Sequence, residues 1–147
     1  MRYLLTLVIL ATTITTITTT RGADIALGDS IALGTGHALH LPTVARVGAG
    51  SCEIAGWVPR RGGFAHVVLS AGINDSGRCV AGLRNALRAK RVIWILPAPI
   101  NGGRAAVSRA MHPGDGAVNY TCKGGCTRSN FHPASYAKVA SAVRRVW

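Results

Sequence analysis

The short stretch "IALGDSIALGTG", residues 25–36, sets Ser30 in a Gly-Asp-Ser turn between two apolar segments. Gly, Asp and Ser are ordinary turn formers, so such a turn serves as plain punctuation in many chains. The same turn also presents a hydroxyl at the edge of a sheet, where a nucleophile belongs. A serine hydroxyl attacks poorly until a neighbouring base removes its proton, so its chemistry depends on what joins it. Three later segments carry polar residues in comparable places: "VGAGSC" with Gly48, Gly50 and Ser51, "AGINDSG" with Gly72, Asn74 and Asp75, and "SNFHP" with His132.

The elements that must position these residues are legible from hydropathy. Apolar runs at 24–27, 43–47, 64–70 and 91–96 read as strands. Two of them, "HVVLS" and "RVIWIL", are nearly continuous, as strands covered on both faces require. Between them "VAGLRNALRAK", 80–90, puts Val80, Leu83 and Leu87 on one side, the pattern of an amphipathic helix. The final segment reads as a helix starting at Pro133, with Arg144 and Arg145 near its end and Tyr136, Val139, Val143 and Val146 or Trp147 as its buried stripe. Residues 101–130, rich in Gly and Arg, read as loop. Strand and helix alternate, so the expected class is α/β with a parallel sheet. In such sheets ligands bind beyond the carboxyl ends of the strands, and three strand ends and one helix start there bring the polar segments to a single edge.

The ordered set "GDS" at 28–30, "GAGS" at 48–51, "GIND" at 72–75 and "FHP" at 131–133 resembles the SGNH (GDSL-type) esterase and lipase superfamily. The resemblance covers the chain from Asp24 to Trp147. It implies a flavodoxin-like three-layer α/β/α sandwich with an open parallel sheet. It further implies Ser30 as nucleophile and His132 as base, with Ser30, Gly50 and Asn74 as oxyanion donors. Hydrolysis of carboxylic esters, short-chain acyl or acetyl groups above all, through an acyl-serine intermediate and without a cofactor would follow. One position departs from the family pattern. Ser129 stands where an aspartate three residues before the histidine usually orients the ring. An orienting carboxylate is worth about 10⁴ in kcat in the serine-protease template. Ser129 itself or Asp115, in "HPGDG", is a candidate for that task, and loss of efficient catalysis with a retained polysaccharide-binding role is the alternative.

Composition bounds the setting. The chain has 147 residues, 48% of them apolar, which suits one globular domain. Residues 1–23 carry Arg2 and the apolar run 3–11, the layout of a signal peptide, with the domain at 24–147. Seven threonines within 12–20 make a permanent membrane anchor over residues 3–20 the weaker reading. The expected location is secreted or periplasmic. Cys52, Cys79, Cys122 and Cys126 form an even set, which reads as two disulfides in an oxidising compartment. "CKGGC" closes a small loop and leaves Cys52 and Cys79 as the other pair. Zinc-type spacing is missing, and no metal is expected.

The net charge is +12, and without residues 1–23 it remains 15 basic against 5 acidic residues. Such an excess attracts polyanions. Aromatic residues are 5% of the chain and form no stacking platform, which argues against nucleic acid as partner. The expected substrate is a small-molecule or polysaccharide ester, compatible with an anionic polymer, and the protein is expected as a monomer. Asp29 and Asp75 read as structural. His37, His40, His66 and His112 read as surface or packing residues, and Trp57 and Trp94 as core or pocket wall. Gly34 and Gly36 make no phosphate loop, because no Lys-Ser/Thr follows.

Overall fold

Val67 and Leu69 point to one side of their strand and Val68 to the other, and this alternation organises the molecule. The computed structural model describes residues 22–60 and 63–147. The signal peptide and anchor readings fall almost wholly on residues outside that set. Ten elements follow in order: β1 (Ala23–Gly28), α1 (Ser30–Leu39), β2 (Thr43–Ala45), α2 (Ser51–Trp57), β3 (Phe64–Ser70), α3 (Val80–Ala86), β4 (Ala89–Ile95), α4 (Gly103–Ala110), β5 (Gly116–Val118) and α5 (Tyr136–Val146). The strands form one sheet in the order β2-β1-β3-β4-β5, and every pairing is parallel.

Both faces of the sheet are covered. Val67, Leu69, Val92 and Trp94 pack with Ile54 of α2, Val80 and Leu83 of α3 and Val107 of α4. Val68, Ile93 and Ile95 pack on the other side with Ile31 of α1 and with Val139 and Val143 of α5. Three layers result, a flavodoxin-like α/β/α arrangement. Strand order reverses between β1 and β3, and that is the switch point at which open α/β sheets bind ligands.

Several expectations need correction. Residues 101–130 are not simply loop, because they contain α4 and β5. Gly103 disguises the helix by composition alone: a Cβ there would lie 2.1 Å from the Gly72 carbonyl oxygen, so the glycine is a packing requirement. The helix read over 80–90 stops at Ala86. Leu87 leaves in extended conformation (φ −72°, ψ 116°), and Ala89 already belongs to β4. β2 is shorter than read and ends at Ala45, with Val47 exposed beyond it. Pro133 does not start the last helix. Ser135 caps it instead, accepting a hydrogen bond from the Lys138 amide at 3.3 Å, and His132 therefore lies before the helix rather than at its first turn.

The cysteines pair as Cys52–Cys79 and Cys122–Cys126. Among the described residues no helix is long and apolar enough to cross a membrane, and no three His, Cys, Asp or Glu side chains gather as metal ligands would.

Candidate active site

Each residue of the Gly28-Asp29-Ser30 turn has its own task. Gly28 sits at φ 143°, and a Cβ there would lie 2.0 Å from the Ser70 carbonyl oxygen, so only glycine lets the end of β1 lie against β3. Asp29 caps α1. Its Oδ1 accepts from the Ile31 amide at 2.9 Å and the Ala32 amide at 3.4 Å, satisfying donors a helix start leaves unpaired. Ser30, the first helical residue, is then left with its hydroxyl at the rim. Its Oγ lies 2.9 Å from Nε2 of His132, 102 residues away in sequence.

The cap is costly to its own carboxylate. Asp29 is fully buried, and Oδ2 has no hydrogen-bond partner among the described residues. Burial pushes its pKa up to about 6, against the opposing pull of nearby Ser70 and of the Ile31 and Ala32 amides.

The second and third segments are tied into one unit. Asp75 Oδ2 accepts from Ser51 Oγ at 2.7 Å and from the Cys52 amide at 3.4 Å, while Oδ1 accepts from the Gly77 amide at 3.2 Å. Ser51 Oγ in turn accepts from the Cys79 amide at 2.9 Å, and the Cys52–Cys79 disulfide closes the same junction. Gly50 precedes α2 in extended conformation, and a Cβ on it would meet Asp75 Oδ2 at 3.0 Å. Asn74 donates from Nδ2 to the Ala49 carbonyl at 2.9 Å. That bond uses one of its two amide hydrogens and leaves the other for a ligand. The backbone amides of Ser30 and Gly50 have no protein acceptor among the described residues. Free amides and a braced carboxamide therefore follow β1, β2 and β3, three neighbouring strands, at their carboxyl ends.

His132 is held from its backbone. The Tyr120 hydroxyl accepts from the Ala98 amide at 3.2 Å and donates to the Phe131 carbonyl at 2.8 Å. Pro133 pairs with Cys122 in an antiparallel bridge, and the Ala134 amide donates to the Thr121 carbonyl at 2.8 Å. The Phe131 ring stacks on the imidazole, with centroids 4.7 Å apart and planes at 25°. Burial pushes the Tyr120 phenol up to about 12, so it keeps its proton, and its place in this clamp, well past neutral pH. Neither Tyr120 nor Asn101, which donates to the Ile73 carbonyl at 2.6 Å beside Asn74, stands out in the sequence. Their roles come from contacts between distant loops, which no local spacing encodes.

Neither candidate for orienting the ring reaches it. Ser129 is exposed, and its hydroxyl pairs with Thr127 Oγ1 at 3.3 Å. Asp115 belongs to another part of the molecule. It accepts from Arg84 Nε at 2.8 Å and Nη2 at 2.7 Å, from Trp94 Nε1 at 3.2 Å and from the His112 amide at 3.0 Å. It lies just before β5, at the strand's amino end, whereas His132 stands at the carboxyl edge of the sheet. Burial works to raise the Asp115 carboxyl, but these hydrogen bonds, Arg84 foremost, outweigh it and hold the group below its ordinary value. Nδ1 of His132 has no partner among the described residues. The other histidines are engaged elsewhere or exposed: His66 with Asp24 and the Trp147 ring, His112 with Asn85, and His37 and His40 on the surface.

Chemically, the arrangement joins a hydroxyl to an imidazole nitrogen at the switch point of the sheet. Two uncommitted main-chain amides and one carboxamide stand at adjacent strand ends. Comparison of the chain with family models, with curated proteins and with solved structures finds no match.

Proposed function

We propose that the protein is an SGNH-type ester hydrolase, working through a Ser30–His132 dyad on short-chain acyl esters such as acetyl groups on a polysaccharide. The observation that carries this reading is the 2.9 Å contact between Ser30 Oγ and His132 Nε2, made across 102 residues of sequence. His132 takes the hydroxyl proton as Ser30 attacks the ester carbonyl, then returns it to the departing alcohol. Water, activated by the same imidazole, hydrolyses the acyl-serine. The Ser30 and Gly50 amides and the Asn74 carboxamide are the donors assigned to the oxyanion in both tetrahedral intermediates. The paired cysteines fit the export that residues 1–23 suggest.

Turnover of p-nitrophenyl acetate tests the proposal. Ser30→Ala and His132→Ala should each lower kcat by about 10³-fold or more while leaving the melting temperature near that of the wild type. Equal rates in wild type and both variants would remove the esterase reading. A second reading, a catalytically weak polysaccharide-binding protein of the same fold, draws on Ser129 and on the unpartnered Nδ1 of His132. It predicts background turnover together with retained glycan binding.

A further inference from the structure

Arg104 lies at the start of α4, on the carboxyl edge of the sheet. Its Nε donates to the Pro97 carbonyl at 2.8 Å and its Nη1 to Asn119 Oδ1 at 2.7 Å. Nη2 makes no hydrogen bond among the described residues, so a guanidinium fixed at two points keeps donors to spare. It lines a cavity of about 570 Å³ together with Pro99, Tyr120, Thr121 and the Cys122–Cys126 loop. The wall of that cavity is the clamp on the base: Tyr120 bonds to Phe131 and Cys122 pairs with Pro133, on either side of His132. Tyr120 and Thr121 also line a second cavity, of about 340 Å³, together with Lys138 and Arg145.

Among the described residues no acidic side chain forms an ion pair with these cations. The chain has five acidic residues, and each has its own partner or cap, Asp29 lying near enough to Tyr120 to be felt there. Asp24 pairs with His66, Glu53 with Arg46 and Asp115 with Arg84, Asp29 caps α1, and Asp75 braces α2. A pinned guanidinium whose Nη2 donors are unengaged is suited to an oxyanion, which it meets through charge-assisted hydrogen bonds. Both depressions are open to solvent, and their volumes lie in the range of small-ligand sites.

We infer that the Arg104 cavity is a subsite for an anionic group of an acidic oligosaccharide, with Lys138 and Arg145 meeting a further anionic group along the same chain. The inference rests on the esterase reading for its role, since the subsite would place an acylated sugar beside His132. Its binding claim stands apart from turnover.

Titration calorimetry on the Ser30→Ala protein tests it with three hexasaccharides: hexagalacturonate (carboxylate), a heparin-derived hexamer (sulfate as well) and maltohexaose (neutral). At least one anionic hexamer should bind and maltohexaose should not, with the tighter of the two naming the oxyanion. Arg104→Gln should weaken that binding by about tenfold or more. Thr121→Glu, which leaves the Arg104 hydrogen bonds in place, should do the same and decides the matter if the Arg104 variant does not fold. Arg88→Gln, just before β4 at the opposite edge, should change it by less than about twofold. Absence of binding, equal losses at Arg88 and Arg104, or tighter binding of a hexathymidylate than of either glycan would overturn the inference. If glycans bind while p-nitrophenyl acetate is inert in the wild type, the esterase reading fails and the subsite stands; the reverse result removes the subsite alone.

Discussion

Asn74 and His132 stand in the same candidate site but are held by different means. Around Asn74 the braces are side chains. Asp75 gathers Ser51, the Cys52 amide and Gly77, a disulfide joins the same two loops, and Ala49 fixes the carboxamide itself. Around His132 the braces grip the backbone. Tyr120, Cys122 and Thr121 bond to Phe131, Pro133 and Ala134, while among the described residues the imidazole has only the stacked Phe131 and the Ser30 hydroxyl. The difference teaches where precision resides. Donors meant to receive charge must be aimed before charge develops, which favours a rigid and redundant frame. A base that passes a proton back and forth tolerates a ring fixed at one nitrogen, at some loss of rate.

The largest test of this contrast is at Asn74. Asn74→Ala should cut kcat on p-nitrophenyl acetate by about 10² to 10³-fold with KM little changed, the usual effect of removing one oxyanion donor. A fall of less than about threefold would break the contrast, because the braced side would then contribute no more than the loose one.

Next in size is the turn that carries Ser30, the proposed nucleophile. The folded protein holds the Asp29 proton to about pH 6, against an ordinary value of 3.8. Sign follows from that: the stabilisation is complete below about pH 4 and is lost as pH rises through 6, amounting to about 3 kcal/mol at one pKa unit per 1.36 kcal/mol. Denaturant unfolding of wild type and the Asp29→Asn variant, compared from pH 4 to 7, should show that slope in the first and not in the second. Parallel curves would mean the buried carboxylate does not titrate in this window.

The smallest effect sharpens the loose side. Ser129→Asp puts a carboxylate three residues before His132, and a rise in kcat of about tenfold is expected if ring orientation limits the rate. An unchanged kcat would show that the backbone clamp already sets the ring.

Much of this was legible in the residues themselves. β3 and β4 each end in four consecutive buried residues, 67–70 and 92–95, covered on both faces, so their signal is strong. "GDS", "GIND" and "FHP" mark loops whose side chains must act locally, and Ser30 and His132 do meet. α4 and β5 are hard to read because each begins with a glycine, and for Gly103 the reason is a distant backbone, the Gly72 carbonyl. Asp115's engagement is hard to read for a related reason. Its partner Arg84 lies 31 residues earlier, and nothing in "HPGDG" announces a buried ion pair. Tyr120 is the same kind of omission, since its hydroxyl acts between two loops that only the folded sheet brings together.

The two outermost strands, β2 and β5, are only three residues long. An exposed sheet edge is a template on which a second chain can add a strand, and natural proteins blunt it by shortening the outer strands. Here either rim offers only a few backbone groups to a neighbour. The long, apolar β3 and β4, the segments most prone to self-association, lie inside the sheet with pairing partners on both sides. The order of strands thus guards the molecule against edge-to-edge aggregation while leaving the carboxyl end of the sheet open for chemistry.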